Sequence, residues 1–226
     1  MKFPKEVQNF KKEDFEVFMT QYDENTINYL YDSVIVMANK VLPPLVNRKV
    51  DLCFYLPYGG CFVIPEDDLN TICVSMYINP SEAEKIMVHE YSHILHIDRR
   101  PKEPLSLRRE VVSEGMAVYL TNQIIHIDVS NSIPFMPKSS FEWCMKNEQM
   151  IKDSIQLELS DTTQQMFKRY ISDGEGFSAP PKGFVEKTAY FIGYRIIEMC
   201  INKGYSLEEI CSLDSESVIE KSEYFK

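Results

Sequence analysis

The chain has 226 residues, with 24 Lys and Arg against 34 Asp and Glu, a formal net charge of −10. Hydrophobic residues make up 44% and charged residues 26%, an ordinary globular balance that excludes collagen-like, low-complexity and disordered chains. The acidic excess has the wrong sign for a nucleic-acid partner, which calls for a basic face.

The opening residues, MKFPKEVQNFKKEDFEVF, have no apolar core and carry acids early, so they do not read as a secretory signal. No apolar run approaches the ~20 residues of a membrane helix. The expectation is a soluble cytoplasmic protein with no membrane partner. Residues 5–42 read as mainly helical, because Phe10, Phe15, Phe18, Ile27, Leu30, Val34 and neighbours recur at intervals of three and four. Pro43 and Pro44 end that stretch. Residues 50–56, 61–64 and 72–77 are short and β-like, with Pro57-Tyr58-Gly59-Gly60 as a turn, which predicts a small three-stranded sheet.

Asn79-Pro80-Ser81-Glu82 opens a helix that runs to about 98, with a capping side chain and an acid at the positive end of the helix dipole. Pro101 and Pro104 mark a loop, and a second, densely apolar helix spans about 107–125. Helices follow at about 139–157, 161–172, 184–203, 206–213 and 215–223, with loop over 174–183 and Gly204 as a helix stop. The whole is read as one domain over 1–226: a helical segment 1–48, the sheet and two central helices over 49–126, and a helical part over 127–226. The fold class is α+β, mostly helical, with a small N-terminal sheet against the first central helix. The six cysteines include no C-x-x-C pair, so they read as small buried hydrophobes.

The chemistry lies in His89-Glu90-Tyr91-Ser92-His93, an H-E-x-x-H pentad inside the first central helix. Residues i and i+4 share a helix face, so two imidazoles can converge on one tetrahedral Zn²⁺. Glu90 is turned about 100° round the helix, within reach of a metal-bound water as a general base. A metzincin site would need Gly at His96 and His at Arg99, and has neither. A catalytic zinc takes three protein ligands. The third is expected from the next helix, where Ser113-Glu114-Gly115-Met116-Ala117 sets a carboxylate in apolar surroundings. Glu110, one turn earlier, is then the group that holds one of the zinc histidines through its other ring nitrogen. The two roles are interchangeable on the sequence alone.

H-E-x-x-H followed by E-G-x-A resembles the gluzincin metallopeptidases, and more closely a bacterial family of predicted zinc-dependent proteases. The resemblance spans roughly residues 70–200 and includes the late segment Ala189-Tyr190-Phe191-Ile192-Gly193-Tyr194-Arg195. It implies a zincin-like fold, with Glu114 as the third zinc ligand. It also implies that Tyr190 or Tyr194 stabilises a tetrahedral oxyanion, with Arg195 binding a substrate carboxylate or pairing structurally. The acid that anchors a peptide N-terminus in aminopeptidase-N-like enzymes has no counterpart at Gly59-Gly60-Cys61-Phe62-Val63. Glu66, Asp67 and Asp68 in the following turn read as solvated charges.

The expected function is therefore a cytoplasmic zinc metallopeptidase of the gluzincin type. It would hydrolyse a peptide or protein substrate with Zn²⁺ on His89, His93 and Glu114, and Glu90 as base. The alternatives are a non-peptidase metal-dependent amide or ester hydrolase, and a catalytically silent zinc-binding or sensing domain.

Overall fold

The computed structural model describes residues 11–46, 49–55, 61–66, 69–172 and 179–226. It divides into two compact units, Met1–Asp98 and Arg99–Lys226. The described residues are mostly helical with one three-stranded sheet, so the α+β expectation holds.

In the first unit, α1 (Lys12–Gln21) and α2 (Glu24–Val41) lie in the stretch 5–42 expected to be mainly helical, of which residues 5–10 fall outside the described residues. The break between α1 and α2 has a local cause. Asp23 is extended, and its carboxylate accepts from the Thr26 N–H at 2.7 Å, capping α2. Strands β1 (Lys49–Tyr55), β2 (Phe62–Pro65) and β3 (Leu69–Ser75) form a sheet in the order β1-β3-β2. β3 runs parallel to β1, from Lys49 opposite Leu69 to Tyr55 opposite Ser75, and antiparallel to β2. As the middle strand, β3 is buried almost throughout, whereas β1 alternates exposed and half-buried along most of its length. The expected turn at 57–60 and the acids Asp67 and Asp68 lie outside the described residues.

The aromatic rings of Phe18, Tyr22 and Phe54 pack with centroids 4.8–5.1 Å apart, tying α1 to β1. α3 (Pro80–Ile97) begins where expected: the Asn79 side chain accepts from the Glu82 N–H at 3.1 Å, and Pro80 occupies the first turn. α3 packs on α2 and on strands β2 and β3.

The second unit is built on α4 (Leu107–Ile125). Ser106 caps it through the Arg109 N–H at 3.2 Å. The Leu107 and Arg108 N–H groups donate to the carbonyls of Asp161 and Leu159, both at 2.8 Å, so the helix start is satisfied by a distant loop. After α5 (Val129–Ser132), the helix expected over 139–157 splits into α6 (Lys138–Lys146) and α7 (Glu148–Gln156). Asn147 leaves the helical backbone region, at φ −116° and ψ 19°, while its side-chain amide and its backbone N–H both donate to the Trp143 carbonyl, at 2.8 and 3.0 Å. The helix expected over 161–172 shrinks to α8 (Gln164–Met166) and a π-helical turn (Phe167–Ile171). There Asp161 draws in the Thr163 N–H at 2.6 Å and delays the start.

α9 (Thr188–Asn202) starts four residues later than expected, because Lys187 is left-handed at φ 60°. Its ammonium donates to the Pro134 carbonyl at 2.6 Å and lies over the rings of Phe135 and Tyr190. Gly204 takes φ +94° and stops α9 as expected. α10 (Leu207–Cys211) opens with a Ser206–Glu209 capping box, and α11 (Ser215–Ser222) follows. α4 and α9 are the most closely packed pair: a Cβ added to Gly115 would fall 2.1 Å from the Gly193 carbonyl carbon, and one on Gly193 would fall 2.0 Å from the Val111 oxygen.

Candidate metal centre

α3 carries His89, Glu90 and His93 in its inner half. His89 and Glu90 are buried at 1% and 7% exposure, and His93 is half-buried. The two imidazole rings meet edge to face, with centroids 4.9 Å apart and planes at 86°. This is the one-turn spacing of i and i+4 expressed as side-chain geometry. Burial beside aliphatic neighbours raises the strength of any charge interaction there. His96, one turn on from His93, is also buried.

One feature of this environment was not legible in the sequence. Tyr55, at the end of β1, is half-buried, and its hydroxyl oxygen is buried and makes no hydrogen bond among the described residues. Burial raises its pKa first, and the negative groups Cys61, Cys73, Glu90 and Cys53 raise it further. Nothing in the run Phe54-Tyr55-Leu56 distinguishes this tyrosine from a packed aromatic.

On α4, Glu114 is half-buried and sits between the buried Ser113 and Gly115. Glu110 is half-buried as well, and its carboxylate lies 3.4 Å from Arg109 Nε. Among the described residues, one group of three could hold a metal ion: His89, His93 and Glu114 each offer one ligand atom, and these atoms lie within 4.8 Å of one another. Glu110 is not a member of that group.

The late tyrosines and Arg195 have partners of their own. Tyr194 is 7% exposed, and its hydroxyl donates to Glu198 at 2.8 Å while its ring stacks on Tyr119. Its pKa is raised, by burial and then by Glu198. Arg195 donates to Glu148 at 3.0 Å and to Glu198, and Tyr224 donates to the same Glu148 oxygen at 2.8 Å. Burial alone would lower the pKa of the guanidinium, but the two carboxylates outweigh it and raise it. Arg195 is thus paired with Glu148 and Glu198. Tyr190 is half-buried beneath the Lys187 ammonium, 5.1 Å from its ring.

The six cysteines form no disulfide among the described residues. Four are buried, and burial pushes Cys73 and Cys200 up to about 11 and Cys144 and Cys211 up to about 12. Cys53 is exposed and Cys61 half-exposed, so the expectation of six buried hydrophobes fails for these two. Cys53 lies on the outward side of an edge strand, where alternation brings every second residue to solvent.

The family profile of the gliding motility protein GldB matches residues 71–226. No curated protein and no solved structure matches the chain. The profile match overturns several expectations. The chain is not a member of the gluzincin or predicted zinc-protease families, and the assignment as a metallopeptidase or hydrolase is withdrawn with it. The physical reason is that H-E-x-x-H with E-G-x-A fixes the spacing of ligands and carboxylates, and ligand spacing does not determine a reaction. The oxyanion roles given to Tyr190 and Tyr194 rested on that assignment, and the general-base role of Glu90 on the spacing of the pentad. The cytoplasmic expectation is also overturned, because this is a lipoprotein family, typically membrane-anchored or periplasmic. That expectation rested on the composition of the first eighteen residues and on the lack of a long apolar run. Among the described residues, no helix is long and apolar enough to cross a membrane.

Proposed function

This chain belongs to the gliding motility protein GldB family, and from that premise we propose that it acts in gliding motility as a metal-binding protein, with Zn²⁺ held by His89, His93 and Glu114. The observation that carries the reading is the grouping of these three ligand atoms within 4.8 Å. Two imidazoles and one carboxylate are a donor set suited to zinc. A tetrahedral ion with bonds near 2.1 Å sets its ligand atoms about 3.4 Å apart, so small side-chain rotations bring the three into range.

The zincin-like element of this reading is confined to the ligand-bearing helix α3 resting on a small sheet. When bound, the ion supplies a positive charge that neutralises buried carboxylates and a cross-link between side chains. A protein that binds metal only when folded is stabilised by it. Glu90, buried on the same helix, lies beside the ligands and offsets the charge of the ion. The net charge of −10 favours a protein rather than a nucleic-acid partner.

The test is metal analysis of the purified full chain. About one zinc per chain is expected, and a His89→Ala/His93→Ala double variant should carry none. A wild-type protein with only background zinc after zinc loading would overturn the reading.

A further inference from the structure

A second site lies in the first unit, where α2, β1, β3 and the end of α3 enclose a cavity of about 550 Å³. Its polar lining includes Tyr31, Asn39, Asp51, Asn70, Tyr91 and Asp98, with Lys49 as a cation beside them. The key residue is Asn70. It lies on β3 in the row that continues through Ile72 and Val74, since alternate residues of a strand share a face. Ile72 and Val74 are fully buried aliphatics, and Asn70 is just as buried at 1% exposure. Its side-chain Nδ2 makes no hydrogen bond among the described residues.

An unsatisfied buried donor costs roughly 1–3 kcal/mol. A leucine at this place would avoid that cost, so the amide calls for a functional explanation. The other polar groups surround the same space with fixed roles. The Tyr31 hydroxyl donates to the Val50 carbonyl at 2.8 Å, and the Tyr91 hydroxyl donates to Asn39 Oδ1 at 2.9 Å. Using that oxygen leaves the Asn39 NH₂ as the group with capacity to donate. Asp51 and Asp98 supply acceptors.

We propose that this cavity binds a neutral polyhydroxylated molecule, of the size of a mono- or disaccharide. A hydroxyl group is both donor and acceptor, so one molecule can accept from the Asn70 and Asn39 amides and donate to the two carboxylates. The tyrosines add apolar ring surface for the C–H faces of a sugar. An anion would meet two carboxylates against the single ammonium of Lys49. A cation would set a donor or positive charge against Asn70 Nδ2. A purely apolar ligand would leave that donor unsatisfied. The volume falls within the range of small-molecule sites. This site shares no ligand residue with the proposed metal centre, so either can fail without the other.

The experiment is titration of the full chain with glucose, galactose, mannose, N-acetylglucosamine and maltose, with lysine and citrate as charged controls. Binding is read by the NMR shifts of the Asn70 side-chain amide and by thermal unfolding. At least one sugar should shift those resonances saturably and raise Tm. Asn70→Leu should fold at least as stably as wild type and bind at least tenfold more weakly. Asp51→Asn, at an exposed position, should also weaken binding about tenfold without changing Tm of the free protein. Absence of any sugar response, binding of lysine or citrate alone, or wild-type affinity in both variants would overturn the proposal.

Discussion

Gly115 and Gly193 meet backbone to backbone at the crossing of α4 and α9. A methyl group on Gly115 would come within 2.1–2.4 Å of the Gly193 carbonyl carbon, oxygen and Cα. The obstructing atoms belong to main chain, so no rotamer change relieves the clash. The glycine of E-G-M-A and the glycine of Y-F-I-G-Y are therefore one structural feature, the contact that lets the two buried helices of the second unit pack closely. Gly115→Ala and Gly193→Ala should each destabilise by about 1–3 kcal/mol or more, lowering Tm by roughly 2–12 °C for a chain of this size. The paired double variant should not recover stability. Thermal melts of the three proteins check this, and a wild-type Tm in either single variant would contradict the crossing.

Zinc binding separates the two candidate carboxylates. Glu114 belongs to the group of three residues that could hold a metal ion and Glu110 does not. Glu114→Ala should weaken zinc binding more than tenfold, a larger loss than Glu110→Ala gives. Excess zinc at a hundred times its Kd should stabilise the wild type by about 2.7 kcal/mol, and a chelator should remove the increment. Glu90→Gln should retain zinc. Equal zinc affinity in the Glu114 and Glu110 variants, measured by competition with a chromogenic chelator, would remove Glu114 from the ligand set.

Arg195 holds Glu148 and Glu198, and Glu148 also receives the Tyr224 hydroxyl. This network joins α7 and α9 to the C-terminal end. Its side chains are about a quarter to a third exposed, so solvent screening limits its worth. Arg195→Ala should cost about 1–2 kcal/mol, because it leaves two half-buried carboxylates facing each other. Zinc affinity should stay at the wild-type value. A loss of zinc binding with unchanged stability would return Arg195 to a role at the metal centre.

The two central helices were the most legible part of the sequence. α3 and α4 have strong caps, long apolar faces and proline-marked boundaries, and their ends were placed within a residue or two. What the sequence concealed were local competitions decided by single side chains. Asn147 breaks a helix by leaving the helical backbone region, and Lys187 delays one by taking a left-handed backbone and turning its ammonium inward. The candidate ligands His89 and His93 could be read from spacing because one helical turn fixes their geometry. Glu114 could not be fixed against Glu110, since both lie on one helix and the difference is tertiary. Function was the least legible level. The pentad reads as catalytic by analogy, and the family match points elsewhere. Asn70 carried the one overlooked signal, an amide in the row of Ile72 and Val74.

At the C-terminus, Glu223 is left-handed, at φ 54°, and its carboxylate is held by Lys203 and Lys226. Hydrogen bonds from Lys203 and then Lys226 lower its pKa from the ordinary 4.5 to about 2. A carboxylate whose folded pKa is depressed contributes stability above its unfolded value, and that contribution is lost as pH falls through the folded one. Here the window runs from about 4.5 down to about 2. The side chains involved are a third or more exposed, so salt should screen the effect. NMR titration of the Glu223 carboxyl at low ionic strength should show it still largely ionised at pH 3.5. Lys203→Ala should move its midpoint up toward 4.5 by a larger step than Lys226→Ala, since Lys203 is the stronger cause. An unshifted midpoint near 4.5 in the wild type would show that the pair does not persist in solution.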